Sequence, residues 1–411
     1  MLDLTEFRKN THTLKAAILK KEPSFDVDAL LSLDEQFRNL MVEVEALRKE
    51  KNDIAKQAKS GITSDLREKS VIIGKSLKEK ELLLQQLEVD HQKMVLSCPN
   101  IVDESVPFGN KESNKQVKIV GKKRDFDFEV KDHVQLATNL GWVDFAAAAK
   151  ISGSNFALYK EQGVKVIYSL TRMMLKNNMQ HGFEMMLPPY LVNEESLTTS
   201  GNLPKFVDGV YKINDEDLYL IPTSEVSLLN YYRDTIFLSA DLPKRLTSWT
   251  SCFRREAGTY GSAERGLIRI HQFEKVELVS ITKPEDSEQE LERMLACAET
   301  ILQQLGLHYR VMLLAAQDTS FQSHKTYDIE VWMPGQKSYY EVSSLSNCTD
   351  FQARRGKIRY RDHDGAKTSL VHTLNASSLA LPRLMVALLE TYQQKDGTVV
   401  LPDCLKEQGW L

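Results

Sequence analysis

A chain of 411 residues is too long for one ordinary hydrophobic core and predicts two or three domains. Its 42% hydrophobic and 27% charged residues are the make-up of a soluble globular protein. A net charge of only -4 excludes overall charge as the means of holding a nucleic acid, so any such partner needs a local basic patch.

The first residues, MLDLTEFRKN, are charged early and carry no apolar signal core, and no later run is long enough to cross a bilayer. Cys98, Cys252, Cys297, Cys348 and Cys404 show no Cys-x-x-Cys or Cys/His spacing. That argues against a zinc site or a disulfide framework and for thiols in a reducing compartment. A cytoplasmic protein with no membrane attachment is expected.

From Leu33 to Ile54 apolar residues fall at Leu33, Phe37, Leu40, Val44 and Leu47, skip Lys51 and resume at Ile54. Steps of three and four make this a heptad seam. A second seam runs through Leu66, Ile73, Leu77, Leu84, Leu87 and Met94, with Ser70, Lys80 and His91 as polar interruptions. Between them KSGITSD supplies a Gly turn and then Ser64 or Asp65 as a helix cap. Two such helices must fold back into an antiparallel hairpin of roughly 45 Å, from ~30 residues per helix at 1.5 Å rise. Pro99 ends the second helix. Toward the turn Arg48, Lys49, Lys51, Lys56, Lys59, Arg67, Lys69, Lys75, Lys78 and Lys80 outnumber the acids, whereas the base carries Asp34, Glu35, Glu43, Glu45, Glu88 and Asp90. A rod with a basic far half can lie against phosphates, although lysines also suit any solvated helix face.

Beyond residue 100 strands and helices alternate. SEQELERMLACAETILQQLG puts Leu291, Met294, Leu295, Ala298, Ile301, Leu302 and Leu305 on one helical face and stops at Gly306. Strands are expected at DLYLIPT, TSWTSCFRRE, LIRIHQFEKVEL, YDIEVWMP and SYYEVSSL. Several strands without a helix between each pair predict an antiparallel sheet flanked by helices, an α+β domain.

The stretch FRREAGTYGSAERGLIRIHQFEKVEL, residues 253–278, carries the functional signal. On a strand Arg254 and Glu256 share a face, and so do Arg269, His271, Phe273, Lys275 and Glu277. Paired as a long hairpin, both sets line one groove, with Phe273 and Glu277 roughly 13 to 14 Å apart at about 3.4 Å per residue. An aromatic face for a base, guanidinium groups for phosphates and a carboxylate for a hydroxyl or amine suit a nucleotide joined to a small polar molecule. The same pattern also fits a half-buried amphipathic strand with a charged outer face.

FRREAG followed by RGLIRIHQFEKVE resembles motif 2 of the class II aminoacyl-tRNA synthetases, and specifically the bacterial-type seryl-tRNA synthetases. GFEMMLPPYLV with Pro189 resembles motif 1, LPKF and YLIPTSE the serine-loop region, and VHTLNASSLALPRLMVALLETYQQKDGTVVLP motif 3. YDIEVWMPGQKSYYEVSSLSNCTDFQARR is similar to the family throughout, and the likeness covers essentially the whole chain. It implies a tRNA-binding domain with a helical hairpin arm over residues 1–100 and a class II antiparallel-sheet catalytic domain over 101–411.

The resemblance implies attachment of L-serine to tRNA(Ser) with ATP through a seryl-adenylate, by a homodimer in which the arm embraces the long variable arm of the tRNA. It leaves room for tRNA(Sec) as a second acceptor. By the same resemblance Thr223, Ser224, Glu225, Glu277, Asn375 and Ser377 bind serine. Arg254, Arg255, Glu256, Arg269, Ile270, Phe273, Glu341, Val342, Ser343, Ser344 and Arg383 bind ATP, with Glu341 and Ser344 holding Mg2+. Arg254, Glu341 and Arg383 are implied to be catalytic. No zinc is expected. Where the family commonly has glycines around motif 3 this chain has Ala376, Ser378 and Pro382, side chains expected to tighten the ATP pocket, and Arg255 stands where a small residue is frequent. A carrier-protein-loading paralogue would lack the arm, and a silent scaffold has no need of Arg254, Glu256, Glu277, Glu341 and Arg383.

Overall fold

The computed structural model describes residues 1–59, 61, 63–256 and 265–411. The turn residues Ser60 and Ile62 and the small-residue loop 257–264 lie outside the described residues. The chain divides into two compact units, Leu2–Pro99 and Asn100–Leu411.

The first unit contains helices α1 (Leu4–Lys9), α2 (Thr11–Lys21), α3 (Val27–Ala58) and α4 (Ser64–Ser97). Helices α3 and α4, of 32 and 34 residues, form the hairpin, each roughly 50 Å long at 1.5 Å per residue. Leu40, Val44 and Leu77 are buried in the seam, flanked by Leu47, Leu84 and Leu87. Arg48 to Glu81 (2.8 Å) and Lys80 to Glu43 cross the two helices and fix their antiparallel pairing. The cap of α4 is Thr63, whose hydroxyl accepts the Leu66 N–H at 3.3 Å; Ser64 and Asp65, the expected caps, already belong to the helix. His91, a break in the heptad, is matched across the seam. Its ring stacks on Phe37 with centroids 4.8 Å apart, and its Nε2 lies 3.2 Å from the Asp34 carboxylate. Asp34 is only 2% exposed, and burial would push its pKa up; Arg8 and Arg38 outweigh that and hold it below the usual value.

The second unit is built on an eight-stranded sheet. Its strands in chain order are β1 (Lys115–Val120), β2 (Glu184–Met185), β3 (Lys244–Phe253), β4 (Gln272–Thr282), β5 (Tyr309–Leu313), β6 (Lys325–Met333), β7 (Ser338–Asn347) and β8 (His372–Ala380). Their spatial order is β1-β5-β6-β7-β8-β4-β3-β2, antiparallel throughout except for the parallel pair β2–β3 at one edge. The helices used below are α5 (His133–Asn139), α6 (Glu161–Gln180), α7 (Ser287–Gln304) and α8 (Leu381–Tyr392).

Helix α7 buries Leu291, Met294, Leu295, Ala298, Ile301 and Leu302, the face its 3.6-residue spacing predicts, and gives way at Gly306, whose φ of +63° suits a residue without Cβ. With α6 and α8 it joins one continuous core with Val276 and Leu278 of β4, Leu345 of β7 and Leu374, Ala376 and Leu379 of β8. Because strand side chains alternate, Phe273, Lys275 and Glu277 of β4 face the other way, into an open cleft.

Three expected strands stop short of one or both ends of their patterns. DLYLIPT is extended only at Tyr219–Leu220, since Pro222 lacks a ladder donor and the chain turns into the helix Glu225–Asn230. Strand β3 ends at Phe253 and β4 begins at Gln272, so Arg254, Glu256 and Arg269 sit just past the strand ends. The Arg254 N–H still reaches His271 O at 2.9 Å, but Arg255 donates to Gly209 O and Glu256 adopts φ +49°. Strict alternation therefore ceases there.

Candidate active site

A cleft of about 810 Å³ runs over the open face of the sheet, with a smaller chamber of about 90 Å³ adjoining it. Arg254, Glu256, Arg269, Lys275, Glu341, Ser377 and Arg383 line both.

One end is enclosed and acidic. Glu277, 2% exposed, accepts the Thr223 hydroxyl at 3.1 Å and forms an ion pair with Lys275. The Lys275 ammonium also donates to the Thr223 hydroxyl at 2.9 Å. Glu225 follows Thr223 at the start of its short helix and is held by amide donors from Gln352 (2.7 Å) and Asn375 (2.9 Å). Burial, with the Glu277 charge adding to it, pushes the Glu225 pKa up to about 7, against the pull of Gln352, Lys275 and Arg254. Burial likewise raises Glu277, opposed first by Lys275 and then by Thr223 and Arg254. Two buried carboxylates thus share one buried cation, Lys275, among the described residues of this pocket, an arrangement that favours a ligand bringing its own positive charge.

The other end carries more apolar side chains. Phe273, Leu267, Ile268, Ile270, Val342 and Pro382 wall the smaller chamber. The Arg254 guanidinium lies 5.2 Å from the Phe273 ring centroid and donates to Pro222 O at 3.2 Å. Arg383, early in α8, donates to Ile268 O (3.1 Å) and Glu341 O (2.8 Å). Arg269 pairs with Glu256 at 3.0 Å. Between the ends, Asp328, Glu330, Glu341 and Ser344 line the cleft from β6 and β7. Burial and the Glu341 charge hold the Asp328 pKa well above its usual value, and its Oδ1 is buried with no hydrogen-bond partner.

The model of the seryl-tRNA synthetase N-terminal domain matches residues 1–102, and that of the class II tRNA synthetase core domain (G, H, P, S and T) matches residues 209–392. A serine–tRNA ligase of Desulfotalea psychrophila is 44% identical over 99% of this chain and 98% of its own, and one of Chlamydia abortus is 44% identical over 99% and 97%. The chain belongs to the seryl-tRNA synthetase family. Among solved structures, the Pyrococcus horikoshii seryl-tRNA synthetase complexed with ATP superposes with a TM-score of 0.92 at 36% identity, covering 99% of this chain and 98% of that one. The cytoplasmic Naegleria fowleri enzyme in complex with AMP gives 0.80 at 27% identity over 93% and 90%.

In this seryl-tRNA synthetase most of the site residues named from sequence converge on the cleft, and three do not line it among the described residues. Ser224 precedes the helix Glu225–Asn230 with its hydroxyl buried and without a hydrogen-bond partner. Arg255 is exposed and lines neither chamber. Ser343 points into the sheet, where its hydroxyl donates to Ser377 O and ties β7 to β8. The expectation that Ala376 and Ser378 tighten the pocket is also corrected. Ala376 is fully buried in the core behind the sheet, and the Ser378 hydroxyl donates to Asn178 Oδ1 at 3.1 Å. Only Pro382 of the three lines the smaller chamber.

Sequence reasoning gave no role to Lys275, Asp328 or Gln352. Lys275 carries a readable signal, since it alternates with the named Glu277 on its strand, whereas no site residue on β6 is named from sequence. Gln352 arrives from the helix Phe351–Gly356, inside the family-like stretch ending DFQARR, but no residue of that helix is singled out there.

Proposed function

We propose that the cleft carries out the ATP-dependent attachment of L-serine to tRNA(Ser), with the amino acid at the Glu225–Glu277 end and adenine at the Phe273 end. The observation that carries this reading is one continuous cleft with a buried acidic pocket at one end and an aromatic, guanidinium-lined chamber at the other. Glu225, with Thr223, receives the serine ammonium, while Glu277, oriented by Lys275, accepts the serine hydroxyl. Asn375 and Ser377 complete that pocket. Phe273 stacks on adenine, and Ile270 and Val342 border it. Glu256 reads the base edge, Arg254 and Arg269 meet the phosphates, and Arg383 closes over them.

The nucleophile is the serine carboxylate, already ionised at neutral pH, so no side-chain base is required. A bond forms between its oxygen and the α-phosphorus, the bond to the β-phosphate oxygen breaks, and pyrophosphate leaves. The difficulty is bringing two anions into line. Guanidinium groups fixed beforehand reduce the repulsion without having to reorganise during the reaction. In the second step the terminal ribose hydroxyl of tRNA attacks the seryl carbonyl and AMP departs.

Mg2+ fits the middle of the cleft. Asp328 keeps an unpartnered buried oxygen and a raised pKa beside Glu341, a surplus of negative charge that a divalent cation would relieve. Among the described residues no group of three or more His, Cys, Asp or Glu could hold a metal, which accords with a cation bound by one or two protein ligands and by phosphate oxygens. Glu341 and Ser344 would hold it, and bound there it would offset phosphate charge.

The helical hairpin is the reader of tRNA shape. Lys49, Lys51, Arg67, Lys69, Lys75 and Lys78 are exposed and form no ion pair among the described residues, leaving a basic stripe for phosphates. Dimerisation is supported by the edge strand β2, beside which Met185 and Leu187 are 54% and 77% exposed. Five cysteines outside any disulfide, four of them buried, suit the cytoplasm, and no described helix is long and apolar enough to cross a membrane.

Two assays test the whole reading. Pyrophosphate exchange across the amino acids should respond to serine alone. Reversing the six hairpin cations to Glu should leave that exchange intact and abolish tRNA charging. Exchange driven equally by other amino acids overturns the site assignment, and retained charging overturns the role of the hairpin.

A further inference from the structure

A polar cluster lies behind the adenine-sided chamber, where no substrate reaches. Asp132 caps α5 and so delivers His133, at the first helical position, into the interior, where it is completely buried. The Leu267 N–H donates to its Nε2 at 3.2 Å. Nε2 is therefore the lone-pair nitrogen, and the proton sits on Nδ1, which faces Glu390 Oε1 at 3.2 Å. Glu390, also fully buried, further accepts the His133 N–H (3.0 Å), the Gly335 N–H (2.9 Å) and both the backbone and side-chain N–H groups of Gln336 (3.2 and 2.9 Å). A carboxylate so fully engaged cannot swing, and it fixes the imidazole tautomer.

The backbone is shaped around this pair. A Cβ at Gly266, whose φ is +66°, would lie 2.3 Å from His133 Nε2, and one at Gly335 would lie 2.9 Å from the Glu390 carboxyl carbon. Glu390 also stands seven residues after Arg383 on α8, two turns along the same face. Arg383 grips Ile268 O directly, and Glu390 grips the neighbouring Leu267 N–H through His133. One helix thus holds the segment 267–270 at two backbone groups, the Leu267 N–H and the Ile268 C=O.

We propose that His133 is a positioning residue for the nucleotide: braced by Glu390, it sets through Leu267 the wall against which adenine packs. This rests on the proposed ATP site, and the test separates the two. Wild-type enzyme is first measured in serine-dependent pyrophosphate exchange; without exchange it is the functional reading that fails. Asn at position 133 can reproduce the Nδ1 donor but not the Nε2 acceptor, whereas Gln can reach Leu267. His133→Asn is expected to raise the KM for ATP about tenfold, the worth of one buried hydrogen bond at about 1.4 kcal/mol, with the KM for serine unchanged. His133→Gln should return the KM for ATP to within about threefold of wild type. Equal ATP constants in the two variants, or a parallel rise in both substrates' constants, overturns the proposal. Should either variant fail to fold, Gly266→Ala carries the test, since its methyl pushes Leu267 off His133: a raised KM for ATP alone supports the proposal and an unchanged one overturns it.

Discussion

The two ends of the cleft solve opposite problems. At the end proposed for serine Glu225, Glu277, Thr223 and Lys275 are each at most 6% exposed and bonded to one another. At the end proposed for the nucleotide Arg254 and Glu341 stay open, the Glu341 side chain 43% exposed. Selection between small molecules that differ by one hydroxyl needs a buried polar partner that suffers when the hydroxyl is missing. A triphosphate needs cations that can follow charge as it moves from substrate to pyrophosphate, and these keep access to solvent. Burial thus marks where the enzyme chooses and exposure where it handles charge.

The strongest way to break this contrast is at Glu277. Glu277→Gln should cut serine-dependent exchange by about 10³-fold or more while ATP affinity stays within about threefold. It also leaves Lys275 buried without its counter-ion, which costs about 3–5 kcal/mol when one partner of such a pair is removed. The double variant Glu277→Gln with Lys275→Met separates the two effects: thermal stability should recover and activity should not. Recovery of both would make the carboxylate a structural element only. At the open end, Arg254→Ala should lower kcat by about 10²–10³-fold with little change in melting temperature, because it removes phosphate stabilisation from a side chain that packs loosely. A large loss of stability would show that this end is as preorganised as the other.

Acidity distinguishes the ends next. Glu225 has its folded pKa raised from 4.5 to about 7, so the fold favours its neutral form. The sign follows directly: this group's contribution to the stability of the unliganded enzyme is lost as pH rises from about 4.5 to 7 and is level above that. Serine's ammonium requires the carboxylate, so the KM for serine should fall about tenfold between pH 6 and pH 8, and Glu225→Gln should give a flat, weak profile. An equal pH dependence of the KM for ATP would assign the titration to the cleft as a whole.

Much of this organisation is readable from period-2 and period-3.6 patterns, and the exceptions have physical causes. The hairpin is legible because its seam repeats over whole heptads, and His91, which breaks it, is explained only by a partner 57 positions away, Asp34. On β4 the alternation Phe273, Lys275, Glu277 gives one face of the site directly. Arg254 and Glu256 reach the cleft too, but from beyond the end of β3 at Phe253, with Glu256 itself left-handed, so strand alternation is not what places them. Gln352 and His133 act through tertiary contacts with Glu225 and Leu267, 127 and 134 positions away, and no local pattern carries such information.

The smallest expected effect is the sharpest check on which side chains belong to the cleft at all. Ala376 and Pro382 are both substitutions in motif 3, six residues apart, and on sequence they look alike. Ala376 is on the core face of β8, paired in register with Leu345 and Leu278, while Pro382 opens α8 at the wall of the smaller chamber. Ala376→Gly removes a buried methyl and loosens a central strand, a cost of about 1–2 kcal/mol, so the melting temperature should drop by ~3 °C with both KM values within about twofold of wild type. Pro382→Ala should do the reverse, shifting the KM for ATP by about two- to fivefold at nearly constant stability, because a small apolar contact is lost where the base lies and the first turn of a helix does not depend on proline. If Ala376→Gly moved the ATP constant more than Pro382→Ala, the core face of β8 would have to communicate with the nucleotide, and the division between a rigid serine pocket and an accessible phosphate end would have to be redrawn around motif 3.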